Sequence, residues 1–460
     1  MNTAVERLYG LRPGVYSVTG EQQTVTLLRF QHWPESVSLG QLGDDGRAAL
    51  RLLAERPCAV ADLPGSESPE VKTLLATLHA DGWLVTTVCW AGRSLYTVQP
   101  LRSSPDVPAT DEAVVLSRFT VLHREGDDLV VESPLATATV RVHDRAVSAV
   151  LAALVSTAAV NAVHSGLPDH LVTQLLADLR SAGLAVPADD AEDEPRLRQW
   201  RPHELWFHGR SRQGNGGYAG MGYGRTKWAK GTFDPTPARH DPYPGPAVEL
   251  SRPNLDDLRH NDPPLTAVVE DRRSRRNHDD DHPITAEQLG ELLYRCSGVR
   301  GAFEADGVEH LKLPYPAGGS VYELELYPVV RLASGLNPGM YHYDRHEHRL
   351  RLVREPGPEV ARLLRSAALS ASAERPPQVL IVLAARFGRL MYTYEELPYA
   401  LVLKHVGVLY QTMYLAATAM GLAACGLGGG DAAAFTEATG LDHATESSVG
   451  EFMLGSRLEE

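Results

Sequence analysis

The chain has 460 residues, 43% of them hydrophobic, with a formal charge of −14 and a pI near 5.7. That length supports roughly two to four domains with real cores, and the acidic balance argues against nucleic acid or a polybasic membrane surface as partner. Its four cysteines, Cys58, Cys89, Cys296 and Cys425, form no CxxC pair, so they read as reduced thiols of a cytoplasmic protein, not a disulfide framework or zinc site.

The N-terminal "MNTAVERLYGLRPG" has no apolar core of signal-peptide type. Residues 1–196 read as two copies of one unit, with modules at 1–105 and 106–196. "LLATLHADGWLV" (74–85) matches "LLADLRSAGLAV" (175–186) at six of twelve positions, and "RAALRLLA" (47–54) resembles "RAVSAVLA" (145–152). Strand-like alternation precedes each helix pair. In the first copy "WLVTTVCWAGRSLYTVQPL" predicts a hairpin turning at Ala91-Gly92-Arg93. A strand, two or three helices and a closing hairpin describe a winged-helix-like module; any small α+β domain with Leu-rich helices would share much of this pattern. The helix "ESPEVKTLLATLHADG" offers only Lys72 and His79 as cations, which disfavours duplex binding. Peptide docking along an edge strand suits the module better.

From 187 the composition changes. "PADDAEDEPRLRQW" is a charged linker, "GNGGYAGMGYGRTKW" (214–228) is Gly-rich, and "PTPARHDPYPGPAVELSRPN" is Pro-rich, which makes 197–262 an extended connector. With no strand before them and no clear helix after, the glycines at 214–224 do not make a nucleotide loop.

Residues 263–460 alternate helices and strands as an α+β domain of enzyme size. Thr285 and Gln288 form a capping box for "TAEQLGELLYRCSGV", whose apolar face is Leu289, Leu292, Leu293 and Cys296. "SVYELELYPVVRL" and "QVLIVLAARF" read as strands, the second fully buried. A long helix covers 396–421. It is the most apolar stretch, but Lys404, His405 and Gln411 in its interior make it a buried helix and not a membrane span. "SVGEFMLGSR" closes the domain. The histidines of "NHDDDHP" (277–283) and "YHYDRHEHRL" (341–350) lack a helical i, i+4 pair and read as solvated loops, not metal ligands.

Three segments carry candidate chemistry. "RRSRR" places Arg272, Arg273, Ser274 and Arg276 just before a helix: either an anion site, since guanidinium matches phosphate in a bidentate way, or a solvated turn balanced by the Asp run 279–281. "PYPAGGSVYELELY" puts Gly318 and Gly319 before a strand, and "AACGLGGGD" follows the long helix; bare backbone there would let a flat ring or phosphate approach. Lys404 in an apolar helix is either a base whose burial favours the neutral amine, or a side chain that snorkels or pairs. His405 is either a base near neutrality or a hydrogen-bonded core histidine. Tyr410 and Tyr414 follow on the same helix.

The order of arginine motif, Gly-Gly before a strand, helix and GLGGG resembles the FMN-dependent nitroreductases, in particular the SagB-like azoline oxidases. The matching stretches are "RRSRR", "PYPAGGSVYELELYPVV", "GLNPGMYHYDRHEHRL" and "LVLKHVGVLYQTMYLAATAMGLAACGLGGGD", nearly 200 residues in extent. The connector segments "HELWFHGRSRQG" and "YPGPAVELSRP" and the doubled N-terminal unit are similar to longer members with peptide-clamp modules. The resemblance implies an α+β fold: two winged-helix-like modules, then a nitroreductase-fold FMN domain with a mixed central sheet flanked by helices. It implies a homodimer with FMN at the subunit interface. Arg272, Arg273, Ser274, Arg276 and Arg457 match the phosphate and ribityl contacts, Ala317, Gly318 and Gly319 the first ring loop, and Gly428 and Gly429 the second. Ala317 stands where relatives have serine. A Lys-Tyr pair of the azoline oxidases is Lys404-His405 here; Lys404, His405 and Tyr410 are the candidate catalytic residues.

The activity so implied is oxidation of thiazoline or oxazoline rings in a ribosomally made precursor peptide. Lys404 or His405 would remove the ring proton, the flavin accept the hydride, and molecular oxygen restore it, with a cyclodehydratase as a further partner. Two other readings stand beside it. One is an NAD(P)H-dependent nitroreductase or ene-reductase, which would not need the N-terminal docking modules. The other is a flavin-free scaffold, which would not need the arginines, glycines and Lys404.

Overall fold

The computed structural model describes residues 5–29, 35–103, 113–156, 166–188, 192–212, 226, 228–229, 231–305, 307–395 and 397–458. The Gly-rich run 214–224 lies outside them. Two compact units divide the chain, Met1–Met221 and Gly222–Glu460.

In the first unit the two segments that match in sequence end their helices in the same way. Pro69–Ala80 buries Leu74 and Leu78; Asp169–Ser181 buries Leu175 and Leu179 at the matching positions. Each helix stops at a left-handed glycine, Gly82 (φ 71°) and Gly183 (φ 74°), where only a residue without Cβ adopts the turn cheaply. The next amide then reaches back to the same leucine carbonyl, Trp83 to Leu78 and Leu184 to Leu179. Side-chain identity at six positions therefore encodes one repeated C-cap.

The surroundings of the two copies differ. The first has a three-stranded sheet, Val15–Thr19, Thr24–Arg29 and Glu35–Gln41, and the expected hairpin, Leu84–Trp90 with Arg93–Pro100. The second ends in the short strand Ala185–Pro187, paired with Val114–Leu116. The hairpin of the first copy continues into the strands of the second through Arg93–Pro100 and Ala138–Val142, so one six-stranded sheet runs on past the expected boundary at 105/106. The unit is richer in strand than a pair of helix-dominated modules. On the helix Pro69–Ala80, Lys72 pairs with Glu67 at 2.7 Å.

The expected connector is partly structured. Pro195–Arg198 and Pro202–Ser211 are helices in the first unit, and Ala247–Glu249 is an edge strand of the second.

The second unit is built on a seven-stranded sheet. Its order is Ala247–Glu249, Arg349–Arg354, Gly339–Asp344, Leu324–Val330, Val379–Arg386, Glu446–Gly455 and Ala423–Gly426. All six pairings are antiparallel, which corrects the expected mixed sheet. Strand alternation sends Leu324, Leu326, Ile381, Leu383, Phe452 and Leu454 to one face, under the helices Ala286–Ser297 and Pro398–Ala419. Tyr327, Val329, Leu380, Val382 and Met453 face the other way, under Pro358–Ala371 and Ala432–Thr439. Val379–Arg386 is covered on both faces and buried at seven of its eight residues, as its unbroken apolar run predicts. The capping box forms in both directions: Gln288 N–H donates to Thr285 Oγ1 at 3.1 Å, and Thr285 N–H to Gln288 Oε1 at 3.0 Å.

The two loop expectations fail only where polar residues bond to the sheet and not to water; Asn277, Asp281 and His282 are exposed as expected. His342, Asp344, Arg345 and His348 are buried, with His342 Nε2 3.2 Å from Glu325 Oε2. His278 packs against Gly455 and its Nδ1 accepts the Gln378 N–H; burial pushes its imidazole down to about 4. Among the described residues no group of three His, Cys, Asp or Glu could hold a metal, and no helix is long and apolar enough to cross a membrane.

Candidate functional site

The long helix Pro398–Ala419 ties the three predicted segments to itself at successive points. His405 Nε2 accepts the Gly318 N–H at 2.8 Å. The Tyr410 hydroxyl accepts the Glu451 N–H at 2.6 Å and donates to the Leu427 carbonyl at 3.3 Å. Tyr414 Oη accepts the Gly426 N–H at 2.7 Å and lies 2.9 Å from Ser274 Oγ. From His405 to Tyr414 is roughly 14 Å along the axis at 1.5 Å per residue. One rigid element thus sets the first glycine loop, the GLGGG turn and the arginine run at fixed spacing. Burial pushes the Tyr410 phenol up, which suits a hydroxyl kept protonated between two backbone groups.

The arginine run has no regular secondary structure, and its side chains divide between two places. Arg272 lies over the Tyr414 ring, 5.2 Å from its centroid, on the Ser274 side. Arg273 and Arg275 face an open pocket of about 100 Å³, which Arg457, Asp271, Thr418 and Gly421 also line. The C-terminal arginine is brought there by Gln378. That buried amide accepts from Ser456 N–H at 2.9 Å and donates to the Asp279 carbonyl at 2.7 Å. The acidic run does not neutralise the arginines. Asp280 pairs with Arg331 at 2.7 Å and Asp279 with His282 at 2.9 Å, while Arg272, Arg273 and Arg276 make no ion pair among the described residues. Arg276 is exposed and contributes no hydrogen bond.

The glycines divide by what surrounds them. A Cβ at Gly430 would overlap the Glu451 carboxylate, and one at Gly426 would press on the Tyr410 ring at 3.0 Å. Those two are glycine for packing. Gly428 has nothing within 4 Å of a Cβ, Gly429 only Ser370 Oγ at 3.5 Å, and neither has a left-handed φ. Among the described residues nothing requires glycine at either position. In the first loop Ala317 is extended, and Gly319, Ser320 and Tyr322 are left-handed at 60°, 56° and 52°. Such backbone persists only where neighbours over-determine it.

Lys404 is exposed and makes no hydrogen bond or ion pair among the described residues. The expectation of a lysine buried within the chain is therefore corrected: the helix is apolar on more than one face, and one of those faces is open. Tyr399 and Leu403 flank Lys404 at 43% and 41% exposure. His405 is 5% exposed, with Nδ1 2.8 Å from Glu323 Oε1. Its Nε2 lone pair is already engaged by Gly318.

Glu323, Tyr414, Arg275 and His310, which donates to the Gly319 carbonyl at 2.9 Å, were not singled out as functional from the sequence. Glu323 carried one signal: "YELELY" alternates, which sends two carboxylates into a domain core.

A flavin mononucleotide asks for uncompensated cations at its phosphate and bare backbone at its ring. The open arginines, the pocket shared with Arg457, and Gly428 and Gly429 with no packing reason to lack a side chain fit both demands.

Residues 269–456 match the nitroreductase family, and residues 114–216 match the cyanobactin oxidase ThcOx. MJ1384 of Methanocaldococcus jannaschii, named for a nitroreductase, is 28% identical over 184 residues, 40% of this chain and 85% of that protein. The trifolitoxin-processing protein TfxB of Rhizobium leguminosarum bv. trifolii is 31% identical over 117 residues, 25% of this chain; the match spans only 31% of TfxB. A solved E. coli microcin synthetase McbBCD complex with truncated pro-MccB17 bound contains a chain 19% identical, with a TM-score of 0.34, covering 52% of this chain and 89% of that one.

Proposed function

We propose that this chain, an oxidoreductase with a nitroreductase-family domain, converts thiazoline or oxazoline rings in a ribosomally made peptide to thiazole or oxazole, with FMN as its cofactor. The observation that carries the reading is the long helix: through His405, Tyr410 and Tyr414 it bonds to both glycine segments and to the serine of the arginine run. The ThcOx match at 114–216 and the likeness to TfxB direct that chemistry to peptides.

Arg272, Ser274 and Arg276, with Arg273 and Arg457, would hold the phosphate and ribityl end. The loops at Ala317–Gly319 and Gly428–Gly429 would take the ring. When bound, FMN supplies the hydride acceptor. Lys404 is assigned the base that takes the ring proton next to the carbonyl. Tyr410 is assigned to hold the second loop, because both of its hydroxyl contacts are to backbone. The exposed apolar groups Tyr399, Leu403, Leu265 and Val269 support a homodimer, which would cover Lys404 and desolvate it. The N-terminal unit is assigned to peptide docking by winged-helix-like modules. Its edge strand Val15–Thr19 exposes Tyr16 and Val18, a surface suited to strand addition. Oxygen as the final acceptor and a cyclodehydratase as the supplier of the ring complete the proposal.

Incubation of FMN-loaded protein with an azoline-bearing peptide should remove two hydrogens per ring, read by mass spectrometry. An unchanged peptide mass, with reduction of nitroaromatics by NAD(P)H instead, would replace this reading with the general nitroreductase one.

A further inference from the structure

Two histidines hold the backbone of the first glycine loop from its two sides. His405 Nε2 accepts the Gly318 N–H at 2.8 Å, so it carries no proton. The ring proton therefore sits on Nδ1 and is donated to Glu323 Oε1 at 2.8 Å. Glu323 is fully buried and His405 is 5% exposed, so neither exchanges its partner for water without a cost. On the other side His310 Nδ1 donates to the Gly319 carbonyl at 2.9 Å. The loop's remaining amides are mostly spent: Ser320 N–H returns to Ala317 and Val321 N–H to Gly318, both at 3.2 Å. Gly319 is exposed, and its N–H makes no hydrogen bond among the described residues.

We propose that His405, oriented by Glu323, is a positioning residue and not a base: it withdraws the Gly318 amide and fixes the following peptide so that the exposed Gly319 N–H is held as an open donor, offered to a carbonyl oxygen or ring nitrogen of the flavin. The left-handed backbone of Ser320 and Tyr322, which follow Gly319, needs such an anchor, since that conformation is unfavourable for a residue with a Cβ. Nε2 has no lone pair left with which to take a substrate proton.

This rests on the flavin reading of the site but not on the peptide activity, so the test uses cofactor alone. Protein is stripped of FMN and titrated by flavin fluorescence, the visible spectrum of the bound flavin is recorded, and thermal midpoints are taken without FMN. If the wild type does not take up FMN, the flavin reading itself fails. Given uptake, His405→Ala should weaken FMN binding about tenfold and shift the visible band, by loss of one positioned donor. His405→Gln, which restores an acceptor near Nε2, should recover most of both. Glu323→Gln should weaken binding a few-fold. Unchanged affinity and spectrum with lost turnover would overturn the inference in favour of proton transfer by His405. A lowered thermal midpoint with an unchanged flavin spectrum would overturn it in favour of packing alone. If His405→Ala does not fold, His405→Gln and Glu323→Gln decide, and wild-type affinity and spectrum in Glu323→Gln would overturn it.

Discussion

Gly428 lies in the turn after the edge strand Ala423–Gly426 and Gly450 in the strand beside it, and alanine should act oppositely on them. At Gly450 a Cβ would lie 2.7 Å from both Val406 Cγ1 and Tyr410 Oη, each fixed by the long helix. Overpacking of that kind costs about 1–3 kcal/mol. In a unit of this size each kcal/mol moves the thermal midpoint by about 2–4 °C, so Gly450→Ala should lower it by roughly 2–12 °C. At Gly428 a Cβ meets nothing within 4 Å and the backbone is not left-handed, so the folded chain tolerates alanine while the unfolded chain loses freedom. That substitution should leave the midpoint unchanged or raise stability by about 0.4–1 kcal/mol. If glycine there serves the flavin, Gly428→Ala should nonetheless weaken FMN binding about tenfold or more. Calorimetry of the FMN-free protein and fluorescence titration read the two effects separately. Gly428→Ala that binds FMN like wild type would refute the reasoning, because the absence of a packing role is what points to a ligand.

Three further outcomes are expected. Lys404→Ala should keep FMN bound and stop peptide oxidation, and unchanged turnover by mass spectrometry would remove Lys404 from the mechanism. Tyr414→Phe should leave the Gly426 amide and Ser274 without their partner, at a cost of about 1–3 kcal/mol in urea denaturation, with weaker FMN binding. His278, buried neutral, has its folded value near 4 against an ordinary 6.5. The unfolded chain then binds the extra proton between those values, so stability should fall as pH drops from about 6.5 to 4, by roughly 3 kcal/mol as an upper bound, and level off below. His278→Asn, which keeps an acceptor for the Gln378 amide, should flatten that slope in urea midpoints taken across the range.

Local rules were legible where one element answers to its own residues. The capping box at Thr285 and Gln288, the buried strand Val379–Arg386 and the turn after Trp90 depend on a few neighbours, and all appear as expected. Strand direction depends on which distant segment pairs with which, and periodicity does not carry that; hence a sheet antiparallel at every pairing was expected to be mixed. Apolar periodicity reports that a face avoids water, not which chain covers it. Lys404 therefore looked buried in the sequence and is open in a single chain.

The candidate site shows the same limit from the other side. Its residue types were legible because arginines in an acidic chain and glycines beside strands are each unusual. Their division of labour was not, since it turns on single atoms. "RRSRR" reads as one cluster, yet its side chains split between Tyr414 and the pocket shared with Arg457. "GLGGG" reads as one loop, yet Gly426 and Gly430 are there for Tyr410 and Glu451, while among the described residues nothing crowds Gly428 or Gly429. Lys404 and His405 read as interchangeable bases, yet adjacent residues on a helix point about 100° apart, so one side chain is open and the other is buried against Glu323 and Gly318. In each case chemistry is assigned by subtraction. Once packing has claimed a residue it is unavailable to a ligand, and the proposed flavin site rests on the groups that packing among the described residues leaves open, Gly428, Gly429 and the Gly319 amide.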